Sequence, residues 1–513
     1  MTKLTETVSA GPHGKSPRVV LRKDSSLLDR IGRFADEESI ALYVVGGYVR
    51  DKLMGRPHKR EVDFTVIGDA VAFAEKLAVH LKVRNPVIFE RFGTAMVPYH
   101  GYHLDFVSAR EETYDTDSRK PHVLSAGLEA DLTRRDFTIN AMAAGLNADG
   151  YGRLIDLFEG RLDLDAKILR TPLEPERTFS DDPLRIMRAI RFAAQLEFSI
   201  ERSTLEALQR MVSRLKIISQ ERITEEFIKL LSARKPSIGI RLLFLTGVMD
   251  VIFPEISQLA GVEQIGPHHH KDVFEHTLLV VDQIALATED PVMRLAALVH
   301  DIAKPRTKRF VPQSGWTFHG HEDLGARMVK HIGRRMKFAE NVTGKLSKMV
   351  ALHMRPINLT RESVTDSAVR RLIVDAGDDL DDLLTLCRAD ITSAKPNKVK
   401  RYLEQFDQLR TRIQIVVEKD NLRAFQSPVR GEEIMAVCNI KPGPLVGRIK
   451  EALEEGILDG SVPNEHDAVL AYLHQIKSQF IETDTQHENS SRDDGTAASG
   501  QRGTGRTRVS GSK

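Results

Sequence analysis

Two carboxylates two residues apart, in a run of alternating apolar residues, are the first groups here that could do chemistry. In EVDFTVI (61–67) Val62, Phe64 and Val66 alternate with Glu61, Asp63 and Thr65. That is the period of a half-buried strand, and it sets Glu61 and Asp63 on one face. Such a pair can clamp a hard divalent cation through oxygen; an ordinary solvated strand looks the same. Upstream, LYVV (42–45) runs into Gly46-Gly47 and a helical pattern from near Tyr48. Paired glycines let backbone N–H groups approach a phosphate, and the start of a helix adds a favourable dipole. Downstream, Asp105 stands between Leu104 and Phe106 in HLDFVSA, sharing its face with His103 and Val107. Three carboxylates on neighbouring strands beside a phosphate-binding turn suit two-metal nucleotidyl transfer. One ion would activate an attacking hydroxyl, and the other would hold the triphosphate and the leaving pyrophosphate.

The elements that must position these groups fall into blocks. At 513 residues the chain is too long for one core, and its composition is that of a soluble globular protein: 41% hydrophobic, 28% charged, mean hydropathy −0.27. A net charge of +2 leaves nucleic-acid binding to local basic faces. Cys387 and Cys438 lack CxxC spacing, so a reducing compartment and no disulfide framework are expected. No apolar run approaches a membrane span, and the N-terminus shows no signal-peptide core, which makes the expected location cytoplasmic. Residues 1–22 read as a flexible N-terminus. From 23 to 160 short β-type runs alternate with helical patterns, an α/β head with a mixed sheet. From about Leu162 the strand signal vanishes and 3.6-residue periodicity continues to Gln479. The divisions expected there are a helical neck over 161–232, a helical body over 233–395 and C-terminal helices over 396–479. Residues 480–513 are too poor in apolar side chains to offset folding entropy and read as a disordered tail. Its last cations, Arg502, Arg506, Arg508 and Lys513, allow weak RNA contact or simply keep it soluble.

GGYVRD (46–51), the acidic strand, DLTRRDFTINAMA (131–143), the stretch 154–200 containing TFSDDPLRIMRAIRF, and ERITEEF (221–227) occur in one order. Over about 40–232 the chain thereby resembles the class II polymerase β-like nucleotidyltransferases, the tRNA CCA-adding enzymes and bacterial poly(A) polymerases. The resemblance implies an α/β head of the polymerase β-like type followed by an all-α neck. It assigns Gly46, Gly47, Arg50 and Asp51 to the phosphates, and Glu61, Asp63 and Asp105 to two catalytic Mg²⁺ ions. Arg135, Asp136 and Asn140 would close on the ribose, and Asp182 with Arg185 would read the base edge of C or A. At i and i+3 these last two would share a helix face. Two positions depart from the family pattern: Glu61 stands where Asp is usual, and Asp181 where Glu is usual. The first touches metal ligation directly. Arg185, Arg188 and Arg191 recur every three residues and, with Arg202, Arg210, Arg214 and Lys216, could track an RNA backbone.

A second set resembles HD-domain phosphohydrolases: His276 in FEHTLLVVD, His300-Asp301 in LVHDIAKP and Asp390 in LCRADITSA. The resemblance implies a metal held by these four, with His321 and His353 (and nearby His319) where binuclear members add ligands. Mn, Ni or Fe would suit such a site. The run 268–270, HHH, could bind nickel or zinc adventitiously, His270 being nearest the set. Residues 431–460 resemble the C-terminal helices of HD-containing CCA-adding proteins, where the PGP turn holds a backbone phosphate or merely joins two capped helices. The activity implied is template-independent addition of CCA to tRNA 3′ ends from CTP and ATP. Poly(A) synthesis and partial CC or A addition share the same motifs. Readings from other classes are an HD phosphohydrolase with a degenerate RNA-binding head, and a non-catalytic RNA-binding protein. The expected partners are the tRNA 3′ end, ATP and CTP, with neither DNA nor membrane; oligomeric state is open.

Overall fold

The computed structural model describes residues 19, 25–57, 60–90, 93–113, 122–125, 127–266, 269–312, 315–360, 365–392, 396–420 and 427–493. The chain forms two compact units that meet in sequence at 353/354. In the first, α1 (Ser25–Glu37) leads into β1 (Ala41–Val45), α2 (Gly47–Leu53), β2 (Glu61–Ile67), α3 (Ala70–His80), β3 (Val87–Phe89), β4 (Thr94–Tyr99) and β5 (Tyr102–Ser108). A short antiparallel pair follows, β6 (Arg110–Thr113) with β7 (His122–Ser125), then α4 (Leu128–Thr133), β8 (Met142–Gly145) and β9 (Leu154–Asp156).

Seven strands make one mixed sheet in the order β3-β4-β5-β2-β1-β8-β9, with β2 and β5 parallel and the other pairs antiparallel. Strand alternation decides its two faces. Phe64 and Phe106 stack with ring centroids 4.6 Å apart, and Phe73 of α3 meets Phe106 edge-on at 5.5 Å. These rings are fully buried, each burial contributing about 1.5–3 kcal/mol. The opposite face carries Glu61, Asp63 and Asp105, and further along it Val45, Leu132 and Ala143 form a small core where α4 covers the sheet.

After the sheet come α5 (Gly160–Ala166), β10 (Ile168–Leu169), α6 (Pro175–Asp181), α7 (Leu184–Leu196), β11 (Ser199–Ile200), α8 (Arg202–Met211), α9 (Gln220–Leu231), α10 (Pro236–Leu245), α11 (Val248–Ile252) and α12 (Pro254–Ser257). The unit closes with β12 (Glu263–Gly266), β13 (His269–Asp272), α13 (Val273–Ala287), α14 (Pro291–Val299), α15 (Lys304–Thr307), β14 (Arg309–Val311), β15 (Gly315–Thr317), α16 (His321–Arg335) and α17 (Glu340–Leu352). Strands therefore do continue beyond Leu162, contrary to the sequence pattern. β10 and β11 pair in parallel, and β12–β13 and β14–β15 are antiparallel hairpins. At two to four residues each, they are too short to print a period-2 signal.

The second unit holds α18 (Arg355–Asn358), α19 (Asp366–Ala376), α20 (Leu380–Asp390), α21 (Pro396–Asp420), α22 (Gly431–Cys438), α23 (Pro444–Leu458) and α24 (His466–Asp493). Ile449 and Leu453 of α23 pack with Val469 and Leu473 of α24, an i,i+4 pair on each helix. Asn439 caps α22 in the left-handed region and Pro444 starts α23, so the PGP segment has the geometry of a capped helix connection. α24 runs to Asp493, into the stretch expected to be disordered; residues 494–513 lie outside the described residues. So do 1–18 and 20–24, but Val19, within the segment expected to be flexible, is buried and its N–H donates to Gly152 C=O at 2.8 Å.

Candidate functional site

β1 delivers the chain to Gly46, which takes φ +70° and ψ −135° before α2 starts at Gly47. A Cβ on Gly46 would lie 3.0 Å from Arg135 Nη1 and 3.8 Å from Asp63 Oδ2. Glycine is required there both for its backbone angle and for the close approach of these groups. The β2–β5 register sets Asp63 directly opposite Asp105, and Glu61 opposite His103. All three carboxylates consequently stand on one sheet face, as the alternation predicts. Asp63 keeps an accessible side chain at the floor of a cleft. Loss of surrounding water raises its pKa, Arg135 opposes that, and the charge of Glu61 adds to it. Asp105 is raised too, by desolvation first and then by Asp63. Crowded carboxylates of this kind are the donor set a divalent cation relieves.

The cleft has a volume of about 690 Å³. Its lining brings together Gly46, Gly47, Arg50, Asp51, Glu61, Asp63, Arg135, Asp136, Asn140, Asp182 and Arg185, and Asp105 joins from the adjoining strand. Below the surface these residues form a relay. Arg50 donates to Asp51 and Asn140, both at 2.8 Å, and Asn140 donates to Asp136 at 3.0 Å. Arg188 donates two bonds to Asp136, at 2.8 and 2.5 Å, while Arg191 donates to Glu226 at 2.6 Å. Burial works against the Asp136 charge, but Arg188 and Asn140 pull its pKa down to about 2. Phe192 is the apolar centre: Arg50, Arg188 and Arg191 lie 5.3, 5.4 and 4.0 Å from its ring centroid.

Two expectations need correction. Asp182 and Arg185 do not share a helix face. Asp182 is extended, at φ −140° and ψ 99°, in the break between α6 and α7, where its carboxylate accepts the Leu184 N–H at 3.2 Å. Pro183 explains the break, since the residue before proline is driven out of the helical region. The pair still lines one cleft. Likewise Arg185, Arg188 and Arg191 are not a free basic stripe. Arg185 donates to the Arg134 carbonyl at 2.5 Å, and the other two are engaged by Asp136 and Glu226.

Sequence reasoning missed Asp131. It is wholly buried at the end of α4 and accepts from Thr65 Oγ1 at 3.0 Å, Arg134 Nη2 at 2.5 Å and Arg135 Nη2 at 3.0 Å. Burial alone would raise its pKa; Arg135 and Arg134 outweigh that and hold it below the ordinary range. Its spacing of three and four from two arginines on a helix was the available signal.

The second constellation lies in the same unit. His276 is on α13, His300 and Asp301 follow α14, His321 begins α16 and His353 follows α17; all five are buried. The Nδ1 atoms of His300, His321 and His353 lie 2.7, 2.8 and 2.7 Å from the carbonyls of Ala297, Phe318 and Val350. A carbonyl only accepts, so each Nδ1 carries the proton and donates. Each Nε2 is thereby turned inward as a ligand atom. Those of His300, His321, His276 and His353 approach the Asp301 carboxylate at 3.1, 3.4, 3.6 and 3.7 Å, and His321 and His353 face each other at 3.3 Å. Nitrogen lone pairs converging on a carboxylate, three of the four rings fixed through the other ring nitrogen, fit a bound transition metal. Lys304 Nζ, 2.6 Å from Asp301, is the partner the sequence reading left out. Burial opposes the Asp301 charge, yet His300 and Lys304 hold its pKa well below the usual carboxylate range. Asp390 ends α20 in the second unit. His319 is exposed, His270 lies on β13, and His268 lies outside the described residues.

Three family models match in succession: the poly A polymerase head domain over 42–170, the probable RNA and SrmB-binding site of polymerase A over 197–259, and the HD domain over 273–394. The chain is 34% identical to the multifunctional CCA protein of Methylococcus capsulatus, across 76% of this chain and 90% of that one. It is 32% identical to an A-adding tRNA nucleotidyltransferase of Deinococcus radiodurans, covering 83% of this chain and 93% of the relative. A CC-adding tRNA nucleotidyltransferase of Thermus thermophilus is also 32% identical, over 83% and 92%. A solved tRNA nucleotidyltransferase complexed with a primer tRNA and an incoming ATP analog superposes with a TM-score of 0.54 at 28% identity, over 74% of this chain and 99% of that chain.

Proposed function

Because the chain belongs to the family of tRNA nucleotidyltransferases with a poly(A) polymerase head, we propose that it completes tRNA 3′ ends with CCA, using CTP and ATP. The observation that carries this reading is the single cleft shared by the glycine turn, the metal strand, Arg135, Asp182 and Arg185. In it the α2 N-terminus and Arg135 meet the triphosphate, close to Asp63. Asn140, anchored through Arg50 and Asp136, faces the ribose. Asp182 supplies an acceptor and Arg185 donors to the base edge. Glu61, Asp63 and Asp105 would hold Mg²⁺, which when bound lowers the pKa of the attacking hydroxyl and stabilises charge on the phosphates. The chain itself offers no covalent intermediate and needs none.

Relatives that add CCA, A or CC are similar to this chain to nearly the same degree. The deciding experiment incubates the protein with tRNA transcripts ending before CCA, labelled CTP or ATP, and Mg²⁺. Incorporation of two C and one A supports the proposal. Two C without A, or A only on a CC-ended tRNA, replaces it with a partial activity, and unlimited A with poly(A) synthesis. Asp63→Ala should abolish incorporation; survival of activity would sink the metal assignment. Glu61→Asp should raise the rate if the longer side chain fits poorly.

The inward-facing Nε2 atoms favour a second reading for the histidine cluster. Here His276, His300, Asp301, His321 and His353 are proposed to hold a transition metal such as Mn, Ni or Fe. Metal content of the purified protein should fall in His300→Ala and Asp301→Ala while nucleotide addition persists. Hydrolysis of bis-nitrophenyl phosphate, lost in the same variants, would extend this to phosphohydrolase activity. Among the described residues no helix is long and apolar enough to cross a membrane; cytoplasmic location is part of the proposal.

A further inference from the structure

Between Asp301 and Glu322 the chain carries Lys304, Arg306, Lys308 and Arg309 and no carboxylate. This segment folds back as the β14–β15 hairpin, with Phe310 opposite Trp316 in the register. Cross-strand partners share a face, and the two rings stand edge to face with centroids 5.3 Å apart. Lys308, two residues before Phe310, joins that face, its Nζ 4.4 Å from the Trp316 centroid. Phe310 is 61% exposed, and Trp316, the single tryptophan of the chain, is half-buried. Arg306 and Arg309 are exposed as well. Of the four cations, Lys304 is held by Asp301 and Arg306 acts on the Glu255 carboxylate, which leaves Lys308 and Arg309 without a carboxylate partner among the described residues. None of this hairpin lines the nucleotide cleft.

An exposed phenylalanine packed on a half-buried tryptophan contributes little to the core, and two cations without carboxylate partners beside it call for phosphate. We propose that this face of the hairpin is a stacking platform for single-stranded RNA. An unpaired base packs on Phe310 against Trp316, and the phosphates on either side are met by Lys308 and Arg309. A duplex hides its base faces, so the occupant is a strand end or loop. The hairpin leaves the Asp301–Lys304 turn directly, so the chain that reads the strand is continuous with the chain that builds the histidine cluster. The inference rests on the proposal that this protein acts on RNA.

Trp316 reports on its own platform. The intact protein is titrated at low salt with a short single-stranded oligoadenylate, with the same strand in a duplex, and with AMP, following tryptophan emission. Saturable quenching by the single strand, weaker with duplex and AMP, is the expected result. Phe310→Ala should weaken the apparent affinity about fivefold or more, the loss of one base–aromatic stack. The pair Lys308→Ala and Arg309→Ala should flatten the dependence of affinity on salt. Phe310 is exposed, so the thermal melt and nucleotide incorporation at saturating tRNA should stay unchanged in Phe310→Ala. No quenching, quenching indifferent to Phe310→Ala, equal quenching by AMP, or stronger quenching by anionic vesicles would each overturn the proposal. Failure of the wild-type protein to extend tRNA overturns the proposed function instead, and leaves the quenching result to stand or fall by itself.

Discussion

Asp131 acts on the cleft without lining it. Its two oxygens tie Thr65, two residues beyond Asp63 on β2, to Arg134 and Arg135. Arg135 points at Asp63 and the Gly46 turn, and the Arg134 carbonyl receives Arg185. Asp131→Asn should therefore lower kcat/KM for nucleotide by about tenfold to a hundredfold, because misplacements near 1 Å cost that much. Steady-state kinetics beside a thermal melt would separate this from unfolding. Asp136 makes a different prediction. Its pKa in the folded chain is about 2, below the ordinary value near 3.9 of an unfolded chain. The stability it contributes, on the order of 2 kcal/mol, is complete above about pH 4 and is lost as pH falls toward about 2. Acid titration of the melting temperature should show this loss, and Asp136→Asn should lack that part of it while starting from a lower plateau. The sequence made Asp63, Asp105 and the arginines of RRD legible through spacing and resemblance. It could not reveal Thr65 as the partner of Asp131, because those residues meet across 66 positions of chain.

Among the elements, β2 was read correctly because Val62, Phe64 and Val66 are buried on one face while Glu61 and Asp63 stay open on the other, the condition under which alternation prints itself on a sequence. The α6–α7 break was equally visible in principle, since Pro183 forbids helical geometry at Asp182. The i,i+3 spacing pointed the other way, and proline prevailed. That break turns Asp182 out of the helix, where its carboxylate accepts the Leu184 N–H at the start of α7. Pro183→Ala should allow helix through this point and move the carboxylate around the cylinder. The expected outcome is a loss of discrimination between CTP and ATP greater than the loss of rate, measured by single-turnover incorporation of each. Unchanged discrimination would separate base reading from Asp182. The hairpins were not legible, because three or four residues of strand held by one neighbour leave no period to count.

At the scale of the whole molecule, the order of blocks was legible and their grouping was not. The HD match runs from 273 to 394, across the boundary between the two compact units at 353/354. Such grouping follows from how densely helices pack, which composition along the chain does not encode. The cleft has a consequence of its own in the balance of its charges. Its lining holds eight arginine and lysine side chains against seven aspartates and glutamates. A bare triphosphate entering it brings negative charge that this near-neutral wall cannot absorb, and bare cations bring the reverse. Together they cancel, so nucleotide and Mg²⁺ are each other's counterions and must bind with positive linkage. Raising Mg²⁺ should tighten nucleotide binding, and saturating nucleotide should tighten Mg²⁺ by the same factor. Glu61→Gln, which removes one negative charge from the wall, should shrink that shared factor and let metal-free nucleotide bind more tightly than it does to the wild type; calorimetric titration in both orders would show it.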